Sequence, residues 1–205
     1  MLSSLGYSVE GVDVSPEMVA VAKKNLARHS VDARIHLCDV KEMSRVLDRR
    51  YDCVISMGNS LPHEFGDDNL LKSLKNMYDV LRKSGSCIIH IENYDLLYRD
   101  RERFIPSVYH RSEDGVDVFI FAIDYYDDHV DFNILSVFER SGRTEFHADL
   151  VTYNPVSPGK LVGLMSAAGF TDVRLYEDFY MSPPGLYGTY DLIATAKKDD
   201  LFSNE

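Results

Sequence analysis

The stretch GYSVEGVDVSPEMVAVAKKN, residues 6–25, decides the fold. Residues 7–12 read as a short β-strand, and an acid, Asp13, stands at its end. Ser15-Pro16-Glu17 then opens a helix: a hydroxyl to cap the free amides, a proline in the first turn, and an acid near the positive dipole end. Met18, Ala22 and Leu26 form the predicted apolar face of that helix. A strand that runs directly into a capped helix is half of a parallel βαβ unit.

The same alternation continues outward. Strands are predicted at residues 33–37 and 51–56. Between the second of these and the next strand, Leu70, Leu74, Met77 and Leu81 recur at i, i+4, i+7 and i+11, with Asp67 and Asp68 as caps. A fourth strand is expected at residues 86–91. The period then changes to two in VDVFIFAID (116–124), VDFNILSVFE (130–139) and TEFHADLVTY (144–153), which predicts a three-stranded antiparallel insertion with turns at DYYDDH and RSGR. A helix capped by Ser157-Pro158 buries Leu161, Leu164, Met165 and Ala168 and stops at Gly169. Strands at residues 172–176 and 189–196 close the pattern. The expected architecture is α/β, a Rossmann-like, mostly parallel sheet carrying a β-hairpin insertion. Residues 1–198 form a single domain, with the insertion or lid at about 104–154 and a tail at 199–205.

Composition narrows the function. Of 205 residues 45% are hydrophobic, enough for a core, and 22 basic against 33 acidic residues give a net charge of −11. So acidic a surface repels phosphate backbones and anionic lipid, so neither nucleic acid nor membrane is expected as a partner. The longest apolar run, residues 118–123, falls far short of the roughly 20 residues that span a bilayer. The opening MLSSLGYSVEG lacks the basic start and long apolar stretch of a secretion signal, and the expected location is cytoplasmic. Cys38, Cys53 and Cys87 are widely spaced and are read as buried apolar residues.

In a parallel sheet, ligands bind beyond the carboxyl ends of the strands. Asp13, after the first strand, suits both hydroxyls of a ribose; the alternative, helix capping, falls better to Ser15. Asp39, in HLCDV (36–40), could take an adenine amino proton, with Val40 supplying an amide and an apolar edge. After the third strand comes SMGNSLPH (56–63). Gly58 permits close backbone approach, Asn59 both donates and accepts, and His63 is either a ligand contact or a solvated loop histidine. The RDRERF run (99–104) reads as a solvated linker, because its charges alternate.

These pieces in this order, with CDV, YDCVIS, VLRKSGSCIIHIENYD (80–95) and LMSAAGF (164–170), resemble the class I S-adenosylmethionine-dependent methyltransferases. GNSLPH, ENYD, the β-rich insertion and EDFYMSPPG (177–185) are similar to the glycine and sarcosine N-methyltransferases within that class. The resemblance implies S-adenosylmethionine as cofactor. Asp13 would hold the ribose, Asp39, Val40 and Met57 would surround the adenine or the cofactor, and Val14, Met18, Gly58 and His63 would complete its contacts. It also implies a small-molecule acceptor, an amine nitrogen, near Asn59, Tyr94 and Tyr153.

Two departures stand out. The family has a strand and a glycine-rich loop before GYSVEG, so this sequence is expected to begin too late for them and to bind the cofactor poorly by itself. Glu92 stands where the glycine enzymes place an arginine for the acceptor's carboxylate; it argues for a neutral or cationic acceptor, unless it turns away to pair with Arg99 or Arg101. Because the sulfonium is already activated, alignment does most of the chemistry and no general base is assigned. Two rivals are kept: a nicotinamide-dependent oxidoreductase, and a non-catalytic remnant of the fold. An antiparallel last strand set between its neighbours separates the first rival from a methyltransferase. The oligomeric state is not legible.

Overall fold

A computed structural model describes residues 2–113, 115–186 and 188–199. Most of the tail predicted at 199–205 lies outside the described residues. Strand β1 (Glu10–Asp13) pairs in parallel with β2 (Arg34–Leu37), and helix α1 (Pro16–Arg28) connects them. The Ser15 hydroxyl accepts from the Met18 amide at 3.1 Å and Pro16 occupies the first turn, as the sequence predicts. The inward face is set one position later than expected. Val19 is buried whereas Met18 is 55% exposed, so Val19, Ala22 and Leu26 form the stripe.

A second sheet has the order β3 (Tyr51–Ser56), β4 (Leu81–Glu92), β10 (Asp191–Lys197), β9 (Thr171–Tyr176). Strands β3 and β4 are parallel, and β10 is antiparallel to both β4 and β9. The last strand therefore sits between its two neighbours, against the chain direction, which is the arrangement that disfavours the oxidoreductase. The short α2 (Met43–Val46), α3 (Asp67–Asp79) and α5 (Pro158–Ala167) cover this layer. Leu70, Leu74 and Met77 of α3 meet Ile89 and Ile91 of β4, Leu161 and Met165 of α5 and Ala194 of β10 in the main core. Each of the large aliphatic side chains removed from water here contributes roughly 1.5–3 kcal/mol before the cost of ordering it. Asp67 and Asp68 lie in the first turn of α3 rather than capping it, since the cap position is Gly66 and no side chain bonds there. Gly169, at φ +106°, ends α5 in the left-handed conformation, as expected.

The insertion contains four strands, not three: β5 (Phe104–Ser112), β6 (Gly115–Tyr125), β7 (Val130–Arg140) and β8 (Arg143–Tyr153), in sequential antiparallel order. Among the described residues strand β5 pairs with β6 alone and so forms an edge. A second, smaller core joins this sheet to α4 (Tyr94–Asp100) through Tyr94, Leu97, Ile123, Val130 and Phe132. Of the cysteines, Cys38 and Cys87 are buried, but Cys53 is exposed on β3. No helix among the described residues is long and apolar enough to cross a membrane.

Candidate active site

The carboxyl ends of β1, β2, β3 and β4 carry the candidate residues, and these divide into an open rim and a closed corner. On the rim, Asp13 uses one carboxylate oxygen to accept the Ser15 amide at 2.8 Å. Its other oxygen has no partner among the described residues. Apolar side chains at these strand ends stand in water: Val14 is 70% exposed, Met18 55% and Met57, at the end of β3, 40%. Exposed apolar residues next to a half-used carboxylate suit a ligand that is part sugar and part flat ring.

Asp39 is more committed than its sequence position suggests. One oxygen accepts the Lys41 amide at 2.8 Å and the other meets the Lys41 ammonium at 3.1 Å. Burial pushes this carboxyl up, but the Lys41 amide and ammonium outweigh it and hold it below the usual carboxylate range. Lys41 in turn bonds both oxygens of Glu64, at 2.8 and 2.6 Å. An adenine amino group reaching Asp39 would thus share an oxygen with Lys41, a residue sequence reasoning passed over. Val40 begins a single 3-10 turn just after, which extends over Val40–Glu42.

The corner is built around Asn59. Gly58 and Asn59 are consecutive left-handed residues, at φ +68° and +62°, and among larger residues asparagine tolerates that region best. The Gly58 amide donates to Nδ1 of His90 at 3.2 Å, and the Asn59 amide to the His90 carbonyl at 3.2 Å. With Nδ1 accepting, the imidazole proton sits on Nε2 and is donated to Asp191 at 2.7 Å. His90 therefore ties the loop after β3 to β4 and β10. Nothing in the sequence pattern singles it out, because it looks like one more alternating strand residue.

The Asn59 side chain accepts from the Glu92 amide at 3.0 Å and donates to the Tyr94 hydroxyl at 2.9 Å. Tyr94 is buried at 1% exposure, and burial pushes its hydroxyl pKa far up, with the Asn59 hydrogen bond opposing. Tyr153, at the end of β8, stacks at a tilt on His63, with ring centroids 4.7 Å apart. Asn154 fixes that contact: its amide donates to the Pro62 carbonyl at 2.8 Å and its side chain to the Glu64 carbonyl at 2.8 Å. The structure thus brings Asn59, Glu92, Tyr94, Tyr153 and His63 together from three separate segments. Phe179 closes the far side against His90, at 5.2 Å between rings. The loop bearing it is organised by Glu177, which is 1% exposed and accepts the amides of Gly185 and Gly188 at 3.0 and 3.1 Å.

Glu92 does not turn away. Arg99 pairs with Asp100, Arg103 with Asp124, and Arg101 lies over the Tyr98 ring. The Glu92 carboxylate is left without a hydrogen-bond or ion-pair partner among the described residues. Burial, reinforced by the charge of Asp191 and only partly offset by His90, pushes it up to about 7. A hollow of about 450 Å³ between Ser3, Tyr7, His29 and Asp32 lies at the opposite ends of β1 and β2 and shares no residue with this site. Among the described residues no group of three His, Cys, Asp or Glu could hold a metal ion.

Comparison with known proteins agrees with this fold. Residues 1–85 match a family described as a methyltransferase domain. The glycine/sarcosine N-methyltransferase of Aphanothece halophytica is 29% identical over 202 residues, covering 97% of this chain and 71% of the relative. That of Halorhodospira halochloris is 28% identical over 179 residues, covering 87% of this chain and 63% of the relative. In fold, an S-adenosylmethionine-dependent methyltransferase from Clostridium acetobutylicum superposes with a TM-score of 0.79 at 14% identity, over 94% of this chain and 76% of its own. Streptomyces venezuelae DesVI gives 0.75 at 16% identity, over 90% and 72%. In sheet order and in sequence the chain resembles the class I S-adenosylmethionine-dependent methyltransferases, and among them the glycine/sarcosine N-methyltransferases.

Proposed function

We propose that this chain methylates the amine nitrogen of a small molecule. The observation that carries the reading is the corner of Asn59, Tyr94, Tyr153 and Glu92 set directly beside the Met57-Gly58 rim. S-adenosylmethionine, when bound, supplies a methyl group already activated on sulfur. The protein's task is then to bind, align and keep water out.

Asp13 has the free oxygen to accept ribose hydroxyls, and Val14, Met18 and Met57 offer the apolar contact for a purine. Asp39, Val40 and His63 complete the proposed cofactor contacts. Gly58 leaves open space beside its α-carbon, since a β-carbon there would meet nothing within 4 Å. On the acceptor side, polar hydrogen-bonding groups in an otherwise aromatic corner fit a molecule of a few heavy atoms with a polar nitrogen. The relatives from Aphanothece halophytica and Halorhodospira halochloris are glycine/sarcosine N-methyltransferases, whose named substrates are both amines, and one structural neighbour is an amino pentose methyltransferase. The acidic surface agrees with a small-molecule substrate rather than nucleic acid. The test is incubation with S-adenosylmethionine and a panel of small amines, alcohols and thiols, with products read by mass. A single-methyl gain confined to amines is expected. Methylation of only oxygen or sulfur acceptors would overturn the nitrogen assignment.

A further inference from the structure

Glu92 is the one feature of this corner that methyl transfer to an amino acid leaves unexplained. Its backbone amide is fixed by Asn59, so the residue cannot drift away from the site without breaking that bond. Its carboxylate lies within electrostatic reach of Asp191, His90, Tyr94 and Tyr153, and among the described residues no lysine or arginine acts on it. Asp191 is itself bonded to His90. A partly buried, unpaired carboxylate is a standing cost unless something positive arrives to pair with it. Tyr94 and Tyr153 are close enough to feel its charge, and their hydroxyl oxygens are further acceptors for the N–H groups of an ammonium.

We infer that Glu92 is the counter-charge for a cationic acceptor: a small amine that arrives as its ammonium ion and has no carboxylate at that end. The inference rests on the amine reading above. Glu92 then has a second use. The ammonium passes one proton to the Glu92 carboxylate: an N–H bond breaks, an O–H bond forms, and the electron pair left on nitrogen is free to take the methyl group. A carboxyl held near neutrality accepts that proton more readily than an ordinary glutamate would. A substrate carboxylate brought against it would instead be repelled.

The charge can be tested apart from any methylation, with tetramethylammonium, which cannot lose a proton, against its neutral analogue tert-butanol. Binding is followed by NMR titration. The groups facing the site that could contribute to its pH dependence are Glu92, Asp191, His90, Tyr94 and Tyr153. Since only the ionised carboxylate attracts the probe, affinity should rise about tenfold from pH 6 to pH 8 and then level, while tert-butanol shows no such rise. Glu92→Gln, which keeps the shape, should bind the cation at least about tenfold more weakly at pH 8 and lose the rise, and Glu92→Asp should restore part of it. Equal binding by the Gln variant, or a pH-flat affinity in the unaltered protein, would overturn the inference. That result would leave the amine reading standing, because the acceptor panel tests it separately.

Discussion

The rim and the corner of this site lie side by side, yet they are made in opposite ways. The rim is assembled from residues next to strand ends, each within a few positions of a recognisable helix or strand signal, and its apolar groups stand in water. The corner is drawn from the loop after β3, the end of β4 and the end of β8, and its centre, Asn59 and Tyr94, is buried and hydrogen-bonded within itself. A rim of this kind binds by offering surface. A corner of this kind binds by offering an unmet charge. Substitutions should therefore separate them cleanly: corner changes alter folding stability as well as binding, whereas rim changes alter binding alone.

The largest effect is expected at Glu92. Its carboxyl is raised from 4.5 to about 7 in the folded chain, so the folded state holds a proton that the unfolded state has already lost. Stability from this group is greatest below the unfolded value, falls as pH climbs from 4.5 to about 7, and then stays low. Glu92→Gln removes the penalty. The variant should match the unaltered protein in urea unfolding near pH 4.5 and exceed it by about 3 kcal/mol at pH 8. An equal or lower stability at pH 8 would mean that the carboxylate finds a partner in solution.

A smaller effect, confined to ligand binding, is expected on the rim. Asp13→Ala removes the one carboxylate oxygen available for ribose hydroxyls. It should weaken S-adenosylmethionine binding by about 2 kcal/mol, roughly 30-fold, measured by calorimetry. Unfolding free energy should change by less than about 0.5 kcal/mol, because the lost Ser15 contact is a local one at the surface. A large loss of stability with unchanged cofactor affinity would reverse the assignment of rim and corner.

The contrast also explains what the sequence could disclose. Strand-end acids such as Asp13 and Asp39, and the antiparallel last strand, follow from local pattern and resemblance, and they stand where they were expected. The edge strand β5 is not legible in the sequence, because the alternating charges of the RDRERF run at its start read as a linker. The inward face of α1 was misplaced by one residue since Met18 and Val19 are equally apolar; only the packing selects Val19. His90, Lys41 and Asn154 carry no local signal at all. Their roles arise from bonds to residues tens of positions away, such as Lys41 to Glu64 and Asn154 to Pro62. Glu92 was noticeable as a departure from the family, but that it would remain unpaired depended on where three arginines point.

The account turns on the charge of the acceptor, and a matched pair of substrates examines it directly. Ethanolamine and glycine share a primary amine and nearly the same size, but glycine carries a carboxylate where ethanolamine has a hydroxymethyl group. Initial rates of methylation with S-adenosylmethionine should favour ethanolamine by at least about tenfold, and Glu92→Arg should invert that order. Efficient methylation of glycine by the unaltered protein, with a preference unmoved by the exchange, would contradict the account.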